Sequence, residues 1–585
     1  MMAEAGTLQA LLDRAAEAPE AGLRFVDRRE RESFWSWSQI RSRASWVAGG
    51  LAELGVAAGD RVVLIYPTGI EFFDAFFGIL SAGAVPVPLY PPVRLGRLDE
   101  YLERTAAMVR GVDGRLVLAD RRVRRLLGPA VEESRPPLGC RTLDSLAAAD
   151  SPPVTVGPDD LAMVQYSSGT TVDPKPVALS HRAVLAQTVR LNAFWPDGNG
   201  IRHSGASWLP LYHDMGLIGC VFPALERPAV LTLIPPELFV ARPAVWLRTI
   251  SRFGATVSPA PNFAYGLCVE KIADDELDGV DLSTWKVALN GAEPVAASVL
   301  RAFQNRFAAW GFRPEALTPV YGLSEAALAV TFSEIESPFS SCAFSRKHLA
   351  ENGRAEPDAG GVELVSVGRP LPDFDVAVVN EGGESKPDGV VGRVMVRGPS
   401  LMTGYLGQPR ATARALNEGW LDTGDLGFIE NGELFLTGRE KDVIILRGRN
   451  HSPVEVEHAL DDVAGIRTGC AAAVSHFAEH AGREVLMVFA EADRNEPRRR
   501  YPEIARHGTA AVRVAAGLEA EVFEILEPGS LPRTSSGKIR RRETLRRWQN
   551  GELSPPGKVT PLRLAGALGR SSLAMARLRK ESGGG

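Results

Sequence analysis

The stretch RVVLIYPTGIEFFDAFFGILSAGAVPVPLYPP, residues 61–92, decides the fold class. RVVLIYP is a short unbroken apolar run closed by a proline, the texture of a strand buried on both faces in a parallel sheet. FFDAFFGILSAG predicts a helix, and AVPVPLY predicts a second buried strand. Strand, helix and strand in that order make a βαβ unit with parallel strands. The same region is the most apolar part of the chain, but Gly78, Gly83, Pro86, Pro88, Pro91 and Pro92 interrupt it, so it does not form one membrane-spanning helix.

On its N-terminal side, Ser38 to Leu54 repeats apolar and small residues at helical spacing. On its C-terminal side, LAMVQYSS, AVLTLIP, GATVSPA and WKVALNGAE predict further strands separated by helical segments. This alternation predicts an α/β fold of parallel-rich sheets flanked by helices. After about Val376 the texture changes to short alternating strands with glycine turns, DVAVVN, GRVMVRG and GELFLTG. We therefore expect a large N-terminal domain over 1–440 that includes a β-rich subdomain at about 370–440. A segment at 441–550 has the size of a small C-terminal domain. The Pro-, Gly-, Ser- and Arg-containing remainder, 551–585, predicts a flexible tail or a weakly docked helix. No internal repeat is visible.

A chain of 585 residues is too long for a single growing core, and its 45% hydrophobic and 23% charged residues are those of a globular protein. The net charge of −5 offers no broad basic field, so no nucleic-acid partner is expected. Five scattered cysteines without C-x-x-C spacing argue against a disulfide framework or a structural zinc site. The N-terminal sequence carries acids where a secretory signal carries bases, and no transmembrane segment is expected, so the reading is cytoplasmic.

Tyr166-Ser167-Ser168-Gly169-Thr170-Thr171 follows a strand-like run and leads through Lys175 toward a helical stretch after Ser180. Hydroxyls, backbone N–H groups, a glycine permitting close approach and one lysine are the donors that a triphosphate requires. The spacing is not that of a Walker loop, and alone such a stretch is also an ordinary surface turn.

Five further segments accompany it: SWLPLYHDMGLIG (207–219), NGAEPV (290–295), YGLSEAAL (321–328), WLDTGDLGFIENGELFLTGREKDVIILRGRNHSPVEVE (420–457) and LPRTSSGKIRR (531–541). In this order the set resembles the superfamily of acyl-CoA synthetases, peptide-synthetase adenylation domains and luciferases, over roughly residues 10–550. The wording WLPLYHDMGLIG, NGAEPV and RGRNH looks closest to the fatty acyl-AMP ligases, which load acids onto carrier proteins. The long polar stretch SEIESPFSSCAFSRKHLAENGRAEPDAGG between Glu325 and Gly368 resembles the insertion of that group, although a variable surface loop would read alike.

The resemblance implies ATP and magnesium as cofactors, a fatty acid as substrate, an acyl carrier protein with its phosphopantetheine thiol as partner, and a mobile α+β C-terminal domain. It implies that Lys538 is the cation bridging the acid and the α-phosphate, and that Glu325 is the magnesium ligand, a hard oxygen donor for a hard cation. Asp425 and Arg439 would hold the ribose. Asn290, Gly291, Ala292, Glu293, Tyr321, Gly322, Leu323 and Ser324 would form the adenine slot, with the tyrosine ring as a stacking face. Ser167, Ser168, Gly169, Thr170, Thr171 and Lys175 would cradle phosphate, His213 would lie beside the acyl carboxylate, and Lys441 would be the hinge of the small domain. The basic run Arg540, Arg541, Arg542, Arg546 and Arg547 is expected to steer an acidic carrier or to be a solvated face.

Two positions depart from the pattern: Pro176 stands where glycine is usual, and Ser452 where the acyl-AMP ligases more often have an aromatic residue. An acyl-CoA synthetase is the nearest alternative. A luciferase-like oxygenase, a silent acyl-binding relative and an amino-acid-activating domain that would use Asp214 to hold an amine are the others.

Overall fold

The computed structural model describes residues 6–92, 95–147, 153–167, 174–195, 202–446, 449–478, 483–534, 537–557 and 559–582. The stretch 61–92 forms the strand Arg61–Ile65, the helix Ile70–Ser81 and the strand Val85–Pro88, and the two strands pair in parallel. The helix is buried throughout from Phe72 to Ser81, which is why it needs no polar face. Its neighbour is the helix Trp37–Glu53: a Cβ on Gly78 would stand 2.4 Å from Val47 Cγ1, so glycine permits the close approach. The buried acid Asp74 is answered by Arg43 at 2.5 Å.

Alternate residues of Arg61–Ile65 feed two different cores, as a period of two requires. Val62 and Leu64 pack with these two helices and with the main sheet. Val63 and Ile65 face a second core built on the helices Leu98–Gly111 and Gly128–Ser134. The main sheet has nine strands, running from Arg369–Pro370 through Ala329–Phe332, Leu317–Gly322, Val287–Asn290, Val257–Ala260, Gly205–Ser207 and Val230–Leu233 to Gly22–Val26 and Glu32–Ser36. From Leu317–Gly322 to Gly22–Val26 the neighbours are parallel, and the edges are antiparallel. The α/β class with parallel-rich sheets is thus as the sequence predicts.

The later alternating segments build an antiparallel sheet of Asp375–Val379, Gly392–Arg397, Trp420–Glu430 and Glu433–Arg439, completed by the two-residue strand Leu416–Asn417. After the single turn Glu440–Asp442 comes an α+β lobe: the strands Ile466–Ala478, Arg483–Ala492 and Ala520–Leu526, covered by Pro453–His458, Tyr501–Ala516 and Arg541–Gln549. The long polar stretch is a built element, with strands Ser341–Phe344 and Val362–Val365 around the helix Arg346–Asn352. Phe344 packs on Phe428 and Phe435 of the antiparallel sheet, while Arg346 pairs with Glu455 and Glu351 with Arg449 at 2.6 Å in the small lobe.

Of the two readings of the segment after 550, the described residues show the docked helix and not a flexible tail. Pro561–Ser582 is a helix lying against Gly128–Ser134, with Ala567, Ser571 and Ala574 buried. Arg570 pairs with Asp99 at 3.1 Å and Arg577 with Glu132 at 3.3 Å. Small residues at i, i+4 and i+7 let the helix sit close, and arginines seven apart latch its flank. Among the described residues no helix is long and apolar enough to cross a membrane. All five cysteines are free thiols.

Candidate active site

Parallel strands deliver their loops to one edge of a sheet, the usual place for a site in such folds. Here Val257–Ala260, Val287–Asn290 and Leu317–Gly322 end beside one another, and the small lobe lies over their ends. The cavity between the lobes is lined by Lys175, His213, Glu293, Glu325, Asp425 and Lys538, which the sequence scatters over more than half the chain.

Asp425 and Arg439 face each other in the antiparallel ladder Trp420–Glu430/Glu433–Arg439, so register alone pairs them, with Nε 3.0 Å from Oδ1. Tyr321 donates its hydroxyl to Asp425 Oδ2 at 2.7 Å, and the Asp425 amide donates to Thr423 Oγ1 at 3.0 Å. The carboxylate is buried and fixed from both sides.

The Asn290–Glu293 turn is tight. Asn290 Nδ2 donates to Asn262 Oδ1 at 3.3 Å, and a Cβ on Gly291 would lie 2.7 Å from Val320 Cγ2. Ala292 takes φ +68°, a left-handed conformation uncommon for alanine and typical of strained functional turns. Glu293 accepts the Phe263 amide at 2.6 Å; burial raises its carboxyl above the usual range, against the pull of Lys538.

After Tyr321 the chain turns sharply. A Cβ on Gly322 would come within 1.8 Å of the Leu328 carbonyl, and the Leu323 amide donates to that same oxygen at 2.7 Å. Ser324 donates to Asp214, Glu325 accepts the Tyr405 hydroxyl at 2.8 Å, and Ala327 has φ +61°. Lys175 lies 4.3 Å over the Tyr405 ring. Burial lowers the Lys175 ammonium below its usual range, with Glu325 opposing and Lys441 adding to the fall. Ser167 donates its amide to the Lys175 carbonyl at 2.9 Å and accepts the Lys175 amide on Oγ at 3.3 Å, closing the base of the expected phosphate loop. Ser168, Gly169, Thr170 and Thr171 lie outside the described residues. Pro176 opens the strand Pro176–Ser180, a position where a missing donor costs no ladder bond.

Lys538 is held by the backbone of its own loop. Thr534 donates its amide to the Lys538 carbonyl at 2.8 Å, the Lys538 amide donates to Thr534 Oγ1 at 3.1 Å, and Arg533 donates to the Gly537 carbonyl at 2.7 Å. Burial and then Arg439 lower the Lys538 ammonium, while Asp214, Glu293 and Asp425 act to keep it charged. His213 Nδ1 lies 2.6 Å from Asp214 Oδ1. Lys441 sits in the turn between the lobes, its carbonyl accepting from Arg542 at 2.6 Å.

The basic run is turned inward in part. Arg540 is buried, Arg541 pairs with Asp442 at 3.0 Å and Glu457 at 2.6 Å, and Arg546 and Arg547 share Glu543 at 2.8 Å and 2.7 Å. Arg547 also reaches Glu100 of the large domain at 2.6 Å. In this arrangement Arg540, Arg541 and Arg547 fasten the lobe, while Arg542, which donates to the Lys441 carbonyl, and Arg546 stay exposed. Sequence reasoning missed Tyr405, for which spacing carries no signal. It weighed Asp214 only as an amine anchor, although adjacency to His213 was a signal of another role.

Cations and carboxylates from two lobes around one cavity suit a substrate that carries several negative charges and hydroxyls. A family model described as AMP-binding enzyme matches residues 12–406. A protein of Caulobacter vibrioides named putative acyl-CoA synthetase is 33% identical over 553 residues, 92% of this chain and 94% of that protein. The long-chain-fatty-acid–AMP ligase FadD23 of Mycobacterium tuberculosis is 32% identical over 547 residues, 89% of this chain and 91% of that one. A solved structure from a study of fatty acyl-adenylate ligases of E. coli and L. pneumophila superposes with a TM-score of 0.86 at 34% identity, covering 93% of this chain and 98% of its own. The chain belongs to the AMP-binding enzyme family, is a ligase, and groups there with the fatty acyl-AMP ligases.

Proposed function

We propose that this ligase activates a medium- or long-chain fatty acid with ATP, forming acyl-AMP and releasing pyrophosphate, and then passes the acyl group to the phosphopantetheine thiol of an acyl carrier protein. The observation that carries the reading is the meeting of Lys538, from the small lobe, with Asp214, Glu293 and Asp425 of the large domain at one cavity.

In the first half-reaction the acid's carboxylate oxygen bonds to the α-phosphorus as the bond to the pyrophosphate oxygen breaks. Two anions must meet, so the task is to cancel repulsion and hold the groups in line. Lys538 supplies the positive charge at that point. Asp425 accepts from the ribose hydroxyls while Arg439 keeps its geometry, Tyr321 and the Asn290–Glu293 turn face the adenine, and Lys175 reaches the phosphates. His213 orients the acid.

Among the described residues no group of three or more His, Cys, Asp or Glu side chains could hold a metal alone. Glu325 as one carboxylate fits magnesium, which binds through one or two carboxylates together with substrate phosphates and would neutralise phosphate charge there.

Rotation about Lys441 would then withdraw Lys538 and admit the thiol. The inserted segment and the wording of the matched segments favour a carrier. The acyl-CoA synthetase name of one relative keeps coenzyme A as the second reading. The test supplies enzyme, ATP, magnesium and a panel of acids, offers coenzyme A and a holo carrier protein in parallel, and weighs the products. Thioester on the carrier alone is expected. An equal yield of acyl-coenzyme A would replace this reading with the second.

A further inference from the structure

Asp214 lies near Lys538 but is given no step in the reaction above, although both its carboxylate oxygens are engaged. It is buried at 6% exposure at the start of the short turn Asp214–Gly216, beyond the strand Gly205–Ser207. The loop folds back because Gly216 has no side chain: a Cβ there would stand 2.2 Å from the Pro210 carbonyl oxygen. That fold-back turns the carboxylate toward the cavity that also holds His213, Ser324 and Lys538.

Both oxygens are taken. Oδ1 lies 2.6 Å from His213 Nδ1 and accepts the Met215 amide at 2.7 Å, and Oδ2 accepts the Ser324 hydroxyl. Ser324 belongs to the turn that also carries Glu325 and is followed by the left-handed Ala327, so Asp214 ties the His213 loop to that turn. Burial alone would raise the Asp214 carboxyl, but His213, Ser324 and Lys538 together hold it at about 2, so it is an anion at neutral pH.

We propose that Asp214 is a positioning residue for adenylation, a fixed negative charge that orients His213 and draws the Lys538 ammonium to the point where carboxylate and α-phosphorus meet. The proposal rests on the adenylation reading, and it assigns Asp214 no contact with the reacting atoms. Because the small lobe brings Lys538 in from outside, a fixed anion on the large domain also favours the closed pose in which that lysine can act.

The test is Asp214→Asn, which keeps the shape and one acceptor oxygen while it removes the charge and turns the other acceptor into a donor. Its thermal midpoint and KM for ATP should stay close to those of the unaltered enzyme, while kcat for acid-dependent pyrophosphate release falls about 30-fold, below the loss from removing a group that itself contacts the transition state. On a Lys538→Ala background the same substitution should add nothing, since residues acting through one another are not additive. An unchanged kcat in Asp214→Asn would overturn the proposal, and so would an equal fractional loss on the Lys538→Ala background. A second measurement works without turnover: acylation of Lys538 by an amine-reactive ester at pH 8, read by mass spectrometry. Removing the anion that keeps this ammonium charged should speed labelling several-fold, and equal labelling would overturn the proposal even if no acid tried proved to be a substrate. Failure of the unaltered enzyme to release pyrophosphate would count against the proposed function alone.

Discussion

Gly128 donates its backbone N–H to Ser571 Oγ at 2.8 Å, joining two residues 443 positions apart and docking the C-terminal helix on the large domain. A Cβ on Gly128 would stand 2.2 Å from the Ser571 carbonyl oxygen and 2.6 Å from its Cα, both backbone atoms that cannot rotate away. The small lobe is therefore bracketed by the Glu440–Asp442 turn before it and this docked helix after it.

Gly128→Ala should lift the helix off its seat. Overpacking of this kind costs about 1–3 kcal/mol locally. Limited proteolysis should then cut within 550–582 several times faster than in the unaltered protein, with the large domain left intact. Equal cleavage rates would mean that the helix is not held by this contact.

This helix also shows where sequence reading stops. The segment 61–92 was legible because bulky apolar residues mark its period, and Phe72, Phe73, Phe76 and Phe77 are all buried. Among the described residues the fully buried positions of Pro561–Ser582 are the small Ala567, Ser571 and Ala574, with only Met575 and Leu578 packed beside them, and a glycine that carries no pattern is among their partners. The arginines after Lys538 fail for a related reason. Their charge is plain in the sequence, and Glu543 lies within one turn of Arg546 and Arg547, but the acids that hold Arg541 and tie Arg547 to the large domain, Asp442, Glu457 and Glu100, are 84 or more positions away in pairs that only the fold forms. The Asp425–Arg439 pair was expected from the matched segments, whereas its cross-strand register and the Tyr321 hydroxyl were not.

The inserted segment touches the small lobe through Arg346–Glu455 and Glu351–Arg449, both partly exposed. Exposed pairs contribute about 0–1 kcal/mol each and weaken with salt. Arg346→Ala combined with Glu351→Ala should leave thermal stability within a few degrees, yet raise amide hydrogen exchange over Pro453–His458, because the lobe is less restrained. Protection equal to that of the unaltered protein would show that packing, and not these charges, holds the lobe.

His181 provides a pH dependence. It is buried, its Nδ1 accepts the Leu8 amide at 3.1 Å, and burial lowers its pKa to about 4, with Asp160 opposing. Between about pH 4 and the unfolded value near 6.5 the unfolded chain binds the extra proton, so stability falls as pH falls through that window. The full effect is on the order of 3 kcal/mol. His181→Asn keeps an acceptor for Leu8 and cannot be protonated, so its thermal midpoint should drop less than that of the unaltered protein between pH 7 and pH 4.5. Parallel decline of the two would exclude His181 as a source of acid sensitivity.

On the proposed function, Lys538→Ala should separate the two half-reactions. On that reading the ammonium acts only where carboxylate and phosphorus meet, and the loop that presents it is held by contacts from Thr534 and Arg533 that alanine retains. The folded lobe should therefore survive the substitution, and adenylation should fall by about 100-fold or more, the scale of losing one transition-state charge partner. Transfer of the acyl group from supplied acyl-AMP to a holo carrier depends on the thiol reaching the adenylate after the lobe has moved, so its rate should stay within a few-fold. Equal losses in both halves would show that Lys538 supports the lobe's structure, and would leave the charge that brings two anions together to be found elsewhere in the site.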